Sequence, residues 1–133
     1  MMDNDLTTVL FLGTVSAGFP SPADDYQENR LDLNELVVPH PHTTYYMRVV
    51  GDSMTGACIY SHDIIVVDRA ITATHKKIVV ARLGDRFTLK RLWLMPPKIY
   101  LRPENPKYQP VEVTNHPDFE IFGVVTYCVQ RVR

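Results

Sequence analysis

Residues 76–95, "KKIVVARLGDRFTLKRLWLM", carry the clearest indication of the fold. It contains two runs rich in apolar and β-branched residues, 76–83 and 86–95, which only Gly84 and Asp85 separate. A two-residue connection that begins with glycine is typical of a β-hairpin with a type II′ turn, because glycine readily adopts the positive φ of the first turn position. We therefore predict an antiparallel hairpin here.

Other short apolar runs flank this hairpin and are separated by turn residues. No helix-length amphipathic stretch stands out, and ten prolines and six glycines in 133 residues favour short strands and turns. We predict a mostly β fold, a compact single domain of short antiparallel strands over residues 45–133, with residues 1–44 as an extended N-terminal arm and linker. The further strand candidates are residues 45–50, 63–68, 98–103 and 119–132.

Composition limits the possible functions of the chain. With 133 residues and 45% hydrophobic residues, it can form one domain with a substantial core. Fourteen basic and fifteen acidic side chains give a net charge of −1, whereas proteins that bind DNA directly usually carry a basic excess. We therefore predict no direct sequence-specific DNA binding.

The cysteines and the apolar segments predict the compartment. Cys58 and Cys128 lack ligand-like spacing, and two cysteines are too few for a disulfide-dense secreted domain, so we expect free thiols in a reducing cytosol. The run "TVLFLG" is shorter than the roughly 20 residues that span a bilayer. We predict a cytoplasmic protein without a membrane segment. His40 and His42 are interpreted as a loop pair rather than metal ligands, and no metal or cofactor is expected.

A serine follows the strand candidate at residues 45–50, in the turn "GDSM" that begins at Gly51. Such a serine usually caps a helix or bonds its own backbone. It could instead be a nucleophile, since glycine permits unusual backbone geometry and the N–H groups of Gly51 and Ser53 could face a developing oxyanion.

Lys90 is the candidate base for such a nucleophile. The strand period of two places it on one face with Thr88, Leu92 and Leu94. The pattern alone favours an edge lysine that extends its ammonium into water. The other interpretation is a lysine packed against apolar surface, where desolvation lowers the pKa of the amine and makes it a usable general base for a serine.

Five segments between residues 17 and 129 form a recognisable set of motifs. They are "AGFPSPADDYQENRLDLNELVVPHP" (17–41), "TYYMRVVGDSM" (44–54), "DIIVVDRAITATH" (63–75), "FTLKRL" (87–92) and "FGVV" (122–125). Together, and in this order, they resemble the LexA/UmuD-type family of self-cleaving SOS proteins. The resemblance implies a β-rich fold in which Ser53 is the nucleophile, Lys90 is the general base, and Ala17-Gly18 is the scissile pair in the arm.

The resemblance also implies partners and a cellular role. It implies a homodimer whose cleavage is stimulated by the RecA–single-stranded-DNA filament. The shortened form, beginning at Gly18, would then join a UmuC-like Y-family DNA polymerase for translesion synthesis. Only sixteen residues precede Ala17, so we expect no helix-turn-helix domain of the repressor type.

Two alternative functions from other classes of protein remain at this point. One alternative is a non-catalytic β-domain that binds or regulates a polymerase, and the other is a leader-peptidase-like enzyme that acts in trans.

Three local features of the sequence differ from the family. His62 stands where a glycine is common in the family, and histidine tolerates a left-handed backbone less well than glycine does. Lys76 and Lys77 replace a Gly-acid pair, and Val50 replaces a small or polar residue.

Overall fold

A computed structural model describes residues 7–14 and 31–133 of the chain. The predicted scissile pair Ala17-Gly18 therefore lies outside the described residues. The part that the structure describes holds one short α-helix and eight β-strands, with 3₁₀ turns at Pro41–Thr43 and Thr55–Ala57. The elements are β1 (Thr8–Thr14), α1 (Leu33–Val37), β2 (Thr44–Val50), β3 (Ile64–Asp68), β4 (Ile78–Leu83), β5 (Arg86–Met95), β6 (Lys98–Arg102), β7 (Val111–Glu112) and β8 (Phe119–Val129).

The strands form one antiparallel sheet that closes on itself like a barrel. The order is β1-β2-β3-β8-β4-β5-β6-β7, and β1 also pairs with β5. Six strands thus complete the ring, while β6 and β7 extend the sheet beyond it. The prediction of a mostly β fold of short antiparallel strands is confirmed. Within the described residues, no helix is long and apolar enough to cross a membrane.

The predicted hairpin is present where the sequence indicated it. β4 and β5 pair antiparallel from Ile78 opposite Arg91 to Leu83 opposite Arg86, which leaves a two-residue turn. Gly84 has φ +64, and Asp85 has no positive φ. A positive φ at the first turn position alone is the signature of the type II′ connection.

The first strand lies within the segment that the sequence analysis assigned to an extended arm. β1 pairs with β2 from Thr8 opposite Val50 to Thr14 opposite Tyr45, so this part of the arm is a sheet strand. Val9 on β1 is buried and belongs to the core. The division of the chain at residue 44 stays a prediction, although residues 8–14 are integral to the described sheet.

Two hydrophobic clusters fill the fold. The first lies inside the ring of strands and reaches from β1 to β5, and the second lies between the hairpin, β6 and β8. Burial of this apolar surface is the main stabilising contribution to such a domain. The first cluster comprises Val9, Met47, Val49, Met54, Ile59, Ile65, Val67, Val80 and Leu89. The second comprises Val79, Ala81, Leu92, Leu101, Val113 and Val124.

Two of the positions that differ from the family adopt the left-handed backbone. His62 has φ +79 and Lys76 has φ +76. The backbone N–H of His62 donates to the Val49 carbonyl at 2.7 Å, and its carbonyl accepts from Arg48 Nη1 at 3.1 Å. These bonds hold the turn that leads into β3 and involve only the backbone of His62. Its left-handed conformation therefore carries a local energetic cost that glycine would avoid.

We expect His62→Gly to raise the free energy of unfolding by about 0.5–1 kcal/mol, because relief of the left-handed strain outweighs the added entropy of the unfolded chain. Chemical denaturation of both proteins checks this. The matched control is His62→Ala, which removes the same exposed side chain but keeps a Cβ at φ +79. Equal stabilisation by both substitutions would show that removal of the histidine side chain, not relief of backbone strain, raises the free energy of unfolding.

Candidate active site

Ser53 lies in the turn directly after β2. Gly51 has φ +111, a conformation that favours glycine, and it turns the chain out of the strand. The 3₁₀ turn at Thr55–Ala57 follows. The serine side chain points into the fold, and Ser53 is 0% exposed.

Lys90 on β5 meets Ser53 inside the protein. Its Nζ lies 3.1 Å from Ser53 Oγ, and the amine also donates to Thr88 Oγ1 at 2.8 Å and to the Leu89 carbonyl at 3.1 Å. Lys90 is only 3% exposed. The interpretation of Lys90 as an edge lysine that reaches water is therefore wrong. The structure brings a buried amine and a buried hydroxyl, 37 residues apart in the chain, into hydrogen-bond distance.

A loop between β6 and β7 holds the serine turn in place. The Glu104 N–H donates to the Ser53 carbonyl at 2.8 Å, and Asn105 Nδ2 donates to the Asp52 carbonyl at 2.8 Å. The Gly56 N–H donates to the Glu104 carbonyl at 2.7 Å. In the sequence, residues 103–110 show only turn-forming residues, among them Pro103, Pro106 and Pro110. No motif indicates the role of this loop, because its contacts join groups that are far apart in the chain.

Asp52 ties the same turn to the loop through its side chain. Its carboxylate accepts from the Tyr108 hydroxyl at 2.5 Å and from Lys107 Nζ at 3.2 Å. The hydrogen bond from Tyr108, followed by that from Lys107, lowers the pKa of Asp52 from its ordinary value of 3.8. Asp52 is thus a carboxylate at neutral pH and acts as an anchor for the turn.

The two predicted oxyanion donors have different partners in the structure. The Gly51 N–H donates to Ser61 Oγ at 3.3 Å. The Ser53 N–H donates to Thr7 Oγ1, a hydroxyl from the residue just before β1. Their role as oxyanion donors stays a prediction. Sequence reasoning gave no indication of Thr7, since it lies 46 residues away in the chain.

The remaining polar candidates have structural partners. Across residues 7–14 and 31–133, no three histidine, cysteine or acidic side chains cluster as metal ligands. His40 Nδ1 lies 2.6 Å from Asp68 Oδ2, so this histidine of the loop pair contacts the end of β3. Both cysteines are free thiols. Burial, together with the nearby Asp63 carboxylate, raises the pKa of Cys128 to about 12, which keeps this thiol protonated.

Comparison with known proteins gives a consistent set of relatives. A family model described as Peptidase S24-like matches residues 10–126. Protein MucA of Salmonella typhimurium is 44% identical over 120 residues, which is 90% of this chain and 82% of MucA. Protein SamA of Salmonella typhimurium strain LT2 is 43% identical over 128 residues, 96% of this chain and 88% of SamA. The LexA repressor of Xylella fastidiosa is 39% identical over 128 residues, 96% of this chain and 59% of the repressor.

The mostly β fold and these matches define a protein of the serine-peptidase type. The chain belongs to the Peptidase S24-like family, since the family model covers most of its length. The resemblance to LexA/UmuD-type proteins is confirmed by relatives that are 39–44% identical over at least 90% of the chain. Its similarity to MucA, ImpA and SamA, which are UmuD-family proteins, identifies the chain as UmuD-like.

Proposed function

We propose that this UmuD-like protein acts in the SOS response and cleaves its own chain between Ala17 and Gly18, with Ser53 as nucleophile and Lys90 as general base. The observation that carries the proposal is the 3.1 Å distance between Lys90 Nζ and Ser53 Oγ in a buried setting. A buried lysine favours its neutral form because desolvation disfavours the ammonium. A neutral amine at this distance can accept the serine proton.

In the first half of the reaction, Ser53 Oγ attacks the carbonyl carbon of Ala17 while Lys90 takes the hydroxyl proton. The Ser53 N–H, with that of Gly51, is the proposed donor to the oxyanion of the tetrahedral intermediate. Collapse of this intermediate breaks the Ala17–Gly18 bond. The Lys90 ammonium gives its proton to the departing amine of Gly18, which leaves residues 1–17 esterified to the serine.

In the second half, water completes the hydrolysis. Lys90, neutral again, takes a proton from a water molecule that attacks the ester carbonyl, and the ammonium then returns that proton to Ser53 Oγ. The products are residues 1–17, ending in a carboxylate, and a chain that begins with the amine of Gly18. Lys90 thus acts once as base and once as acid in each half.

The family resemblance and the relatives support the following proposed setting. The protein is a cytoplasmic homodimer, the RecA–single-stranded-DNA filament stimulates its cleavage, and the shortened chain joins a UmuC-like Y-family polymerase in translesion synthesis. Because the scissile pair is tethered to the catalytic domain, cleavage is effectively intramolecular, and a modest catalyst suffices.

Intact-protein mass spectrometry of the full chain tests the proposal. We expect release of residues 1–17 to accelerate as the pH rises from 7 to 10, because the base acts in its neutral form and rising pH increases the neutral fraction of a lysine. At pH 7, addition of RecA filament is expected to raise the rate. A filament lacking bound nucleotide is the matched control.

A chain that stays intact at every pH, with and without filament, would contradict the proposed function. The protein would then be better described as a non-catalytic β-domain that binds or regulates a polymerase. Cleavage at a bond other than Ala17–Gly18 would retain the Ser-Lys chemistry and refute the assigned scissile pair.

A further inference from the structure

The part of the sheet that extends beyond the ring carries aromatic and cationic side chains on one face. Trp93 on β5 is opposite Tyr100 on β6, and two residues earlier on β5 Arg91 is opposite Arg102. Side chains alternate between the faces of a strand, so these four residues lie on the same face, while Leu92 is buried on the other. We call the surface formed by these four residues the β5–β6 outer face.

Two cationic side chains lie against the Trp93 ring. The guanidinium carbon of Arg102 is 4.5 Å from the ring centroid, and Lys76 Nζ is 5.5 Å from it. Both cationic residues are exposed, and neither forms an ion pair with a carboxylate in residues 7–14 or 31–133. Arg91, in contrast, is paired with Glu104 at 2.7 Å. The surface around Trp93 is therefore locally cationic, although the whole chain has a net charge of −1.

An open groove lies beside the Trp93 ring. It has a volume of about 260 Å³ and is lined by Trp93, Tyr100, Arg102 and Pro110. Pockets for drug-sized ligands have volumes of roughly 300–1,000 Å³, so this groove suits a smaller group, such as one planar ring system. The His75 ring lies 4.7 Å from the Trp93 ring at an interplanar angle of 65°, and it packs the tryptophan in place.

These features fit a ligand in which planar rings alternate with anionic groups. The bases of a single nucleic-acid strand stack on aromatic side chains whatever their sequence, and its phosphates bind Lys and Arg. An acidic peptide would satisfy the cations but would not bring a planar ring to the groove at each step of its chain. A duplex would present phosphates but keep its bases stacked on one another. The chemistry therefore favours a single strand.

We propose that the β5–β6 outer face binds single-stranded nucleic acid without sequence preference. One base occupies the groove beside Trp93, and neighbouring phosphates contact Lys76 and Arg102. Glu112 on β7 is opposite Tyr100 and bounds the site on that side, because its carboxylate repels phosphate. Lys90 is an odd number of residues from Trp93 and so belongs to the other face of β5. Binding therefore does not depend on the proposed cleavage.

The fluorescence of Trp93 provides a direct measurement, because this is the single tryptophan of the chain. The full chain is titrated at pH 7 with oligothymidylate and oligouridylate of about 16 nucleotides, and the anisotropy of end-labelled strands gives the affinity. We expect saturable quenching of Trp93 by stacked bases. The logarithm of the association constant should fall with the logarithm of salt concentration, with a slope of about −1.4 for two phosphate contacts. The tighter of the two strands identifies DNA or RNA as the ligand.

Substitutions separate stacking from charge. Trp93→Ala should weaken binding by about tenfold or more, whereas Trp93→Phe keeps a ring and should stay within about threefold of the wild type. Arg102→Gln should make the salt slope less steep by about 0.7. The matched control is Arg69→Gln, since the Arg69 guanidinium also lies over an aromatic ring, at 4.4 Å from the Phe122 centroid, but is paired with Glu120. This control should bind like the wild type.

Three results would overturn the proposed site. The first is an unchanged Trp93 signal at saturating oligonucleotide, and the second is an Arg102→Gln protein with the wild-type affinity and salt slope. The third is a polyglutamate peptide that quenches Trp93 and binds as tightly as the oligonucleotides, which would identify the face as a site for acidic polypeptides. A chain that binds the oligonucleotide but never cleaves itself would refute the proposed function alone.

Discussion

Ser53→Ala and Lys90→Ala are each expected to slow the release of residues 1–17 by about a thousandfold or more, because loss of a nucleophile or its base removes the central chemical step. Lys90 Nζ and Ser53 Oγ are 3.1 Å apart and act in the same chemical step. The double variant should therefore cleave no more slowly than either single variant. Time courses by intact mass at pH 7 with filament, and at pH 10 without it, measure the effect.

Ser53→Ala and a second lysine variant, Lys90→Met, should both leave the protein folded. In Ser53→Ala, Lys90 keeps its hydrogen bonds to Thr88 and to the Leu89 carbonyl. Lys90→Met replaces the buried amine with an apolar chain of similar length, and such replacements are often neutral or stabilising. We therefore expect Lys90→Met to unfold within about 1 kcal/mol of the wild type while being equally inactive. Circular dichroism and chemical denaturation check this.

A small amine provides a test that a merely structural role would not satisfy. Lys90→Ala leaves a cavity beside Ser53, and added propylamine can supply a base there, so part of the cleavage should return in a pH-dependent manner. Lys90→Met fills the cavity and should not be rescued. The exposed Lys98→Ala is the matched control and should cleave normally. Processing of Lys90→Ala at the wild-type rate would remove this residue from the mechanism.

Gly56→Ala is expected to reduce both stability and cleavage, because the site around Gly56 has no room for a methyl group. A Cβ there would lie 2.5 Å from the Glu104 carbonyl oxygen and 3.2 Å from its carbonyl carbon, both backbone atoms. Overpacking of this kind costs about 1–3 kcal/mol of unfolding free energy. Glu104 also binds the Ser53 carbonyl, so displacement of its loop should move the serine. We expect cleavage to fall by about tenfold or more, since small shifts of a nucleophile have large effects.

Gly84→Ala separates this local effect from a general loss of stability. Gly84 has φ +64, but a Cβ there would meet no atom within 4 Å. Its substitution should therefore cost about 1 kcal/mol through backbone strain and leave the cleavage rate of the folded protein unchanged. Denaturation curves and cleavage time courses on both variants make the comparison. A Gly56→Ala protein with wild-type stability and cleavage would show that the loop yields easily and does not position Ser53.

Local sequence signals were sufficient for six of the seven strands that follow α1; the two-residue β7 (Val111–Glu112) was not predicted. The hairpin turn, the alternation along β5 and the continuous apolar run of β3 are all properties of neighbouring residues, and each element appears where it was predicted. The first strand could not be recognised in this way. Its apolar run precedes a segment rich in proline and glycine, and its partners β2 and β5 are 30 or more residues away.

The burial of Lys90 likewise could not be predicted from neighbouring residues in the sequence. Alternation assigns it to a face of β5 but does not say what covers that face. In the structure, the turn that carries Ser53 and the residue before β1, Thr7, both lie over this face of β5 and bury Lys90. The hydrogen bonds from Asn105 and Tyr108 to Asp52, which hold that turn, also join parts of the chain that are far apart in the sequence.

The amino-acid sequence alone predicted the β class of the protein, the hairpin with its turn, and the two residues that a family motif singles out, Ser53 and Lys90. These depend on short-range preferences of the backbone and on the identity of side chains. The three-dimensional structure was needed to show that the serine and the lysine meet, that both are buried, and that the Ser53 N–H donates to the Thr7 side chain. These contacts depend on the tertiary structure because they join segments far apart in the chain, and pairing between such strands depends on the whole packed fold.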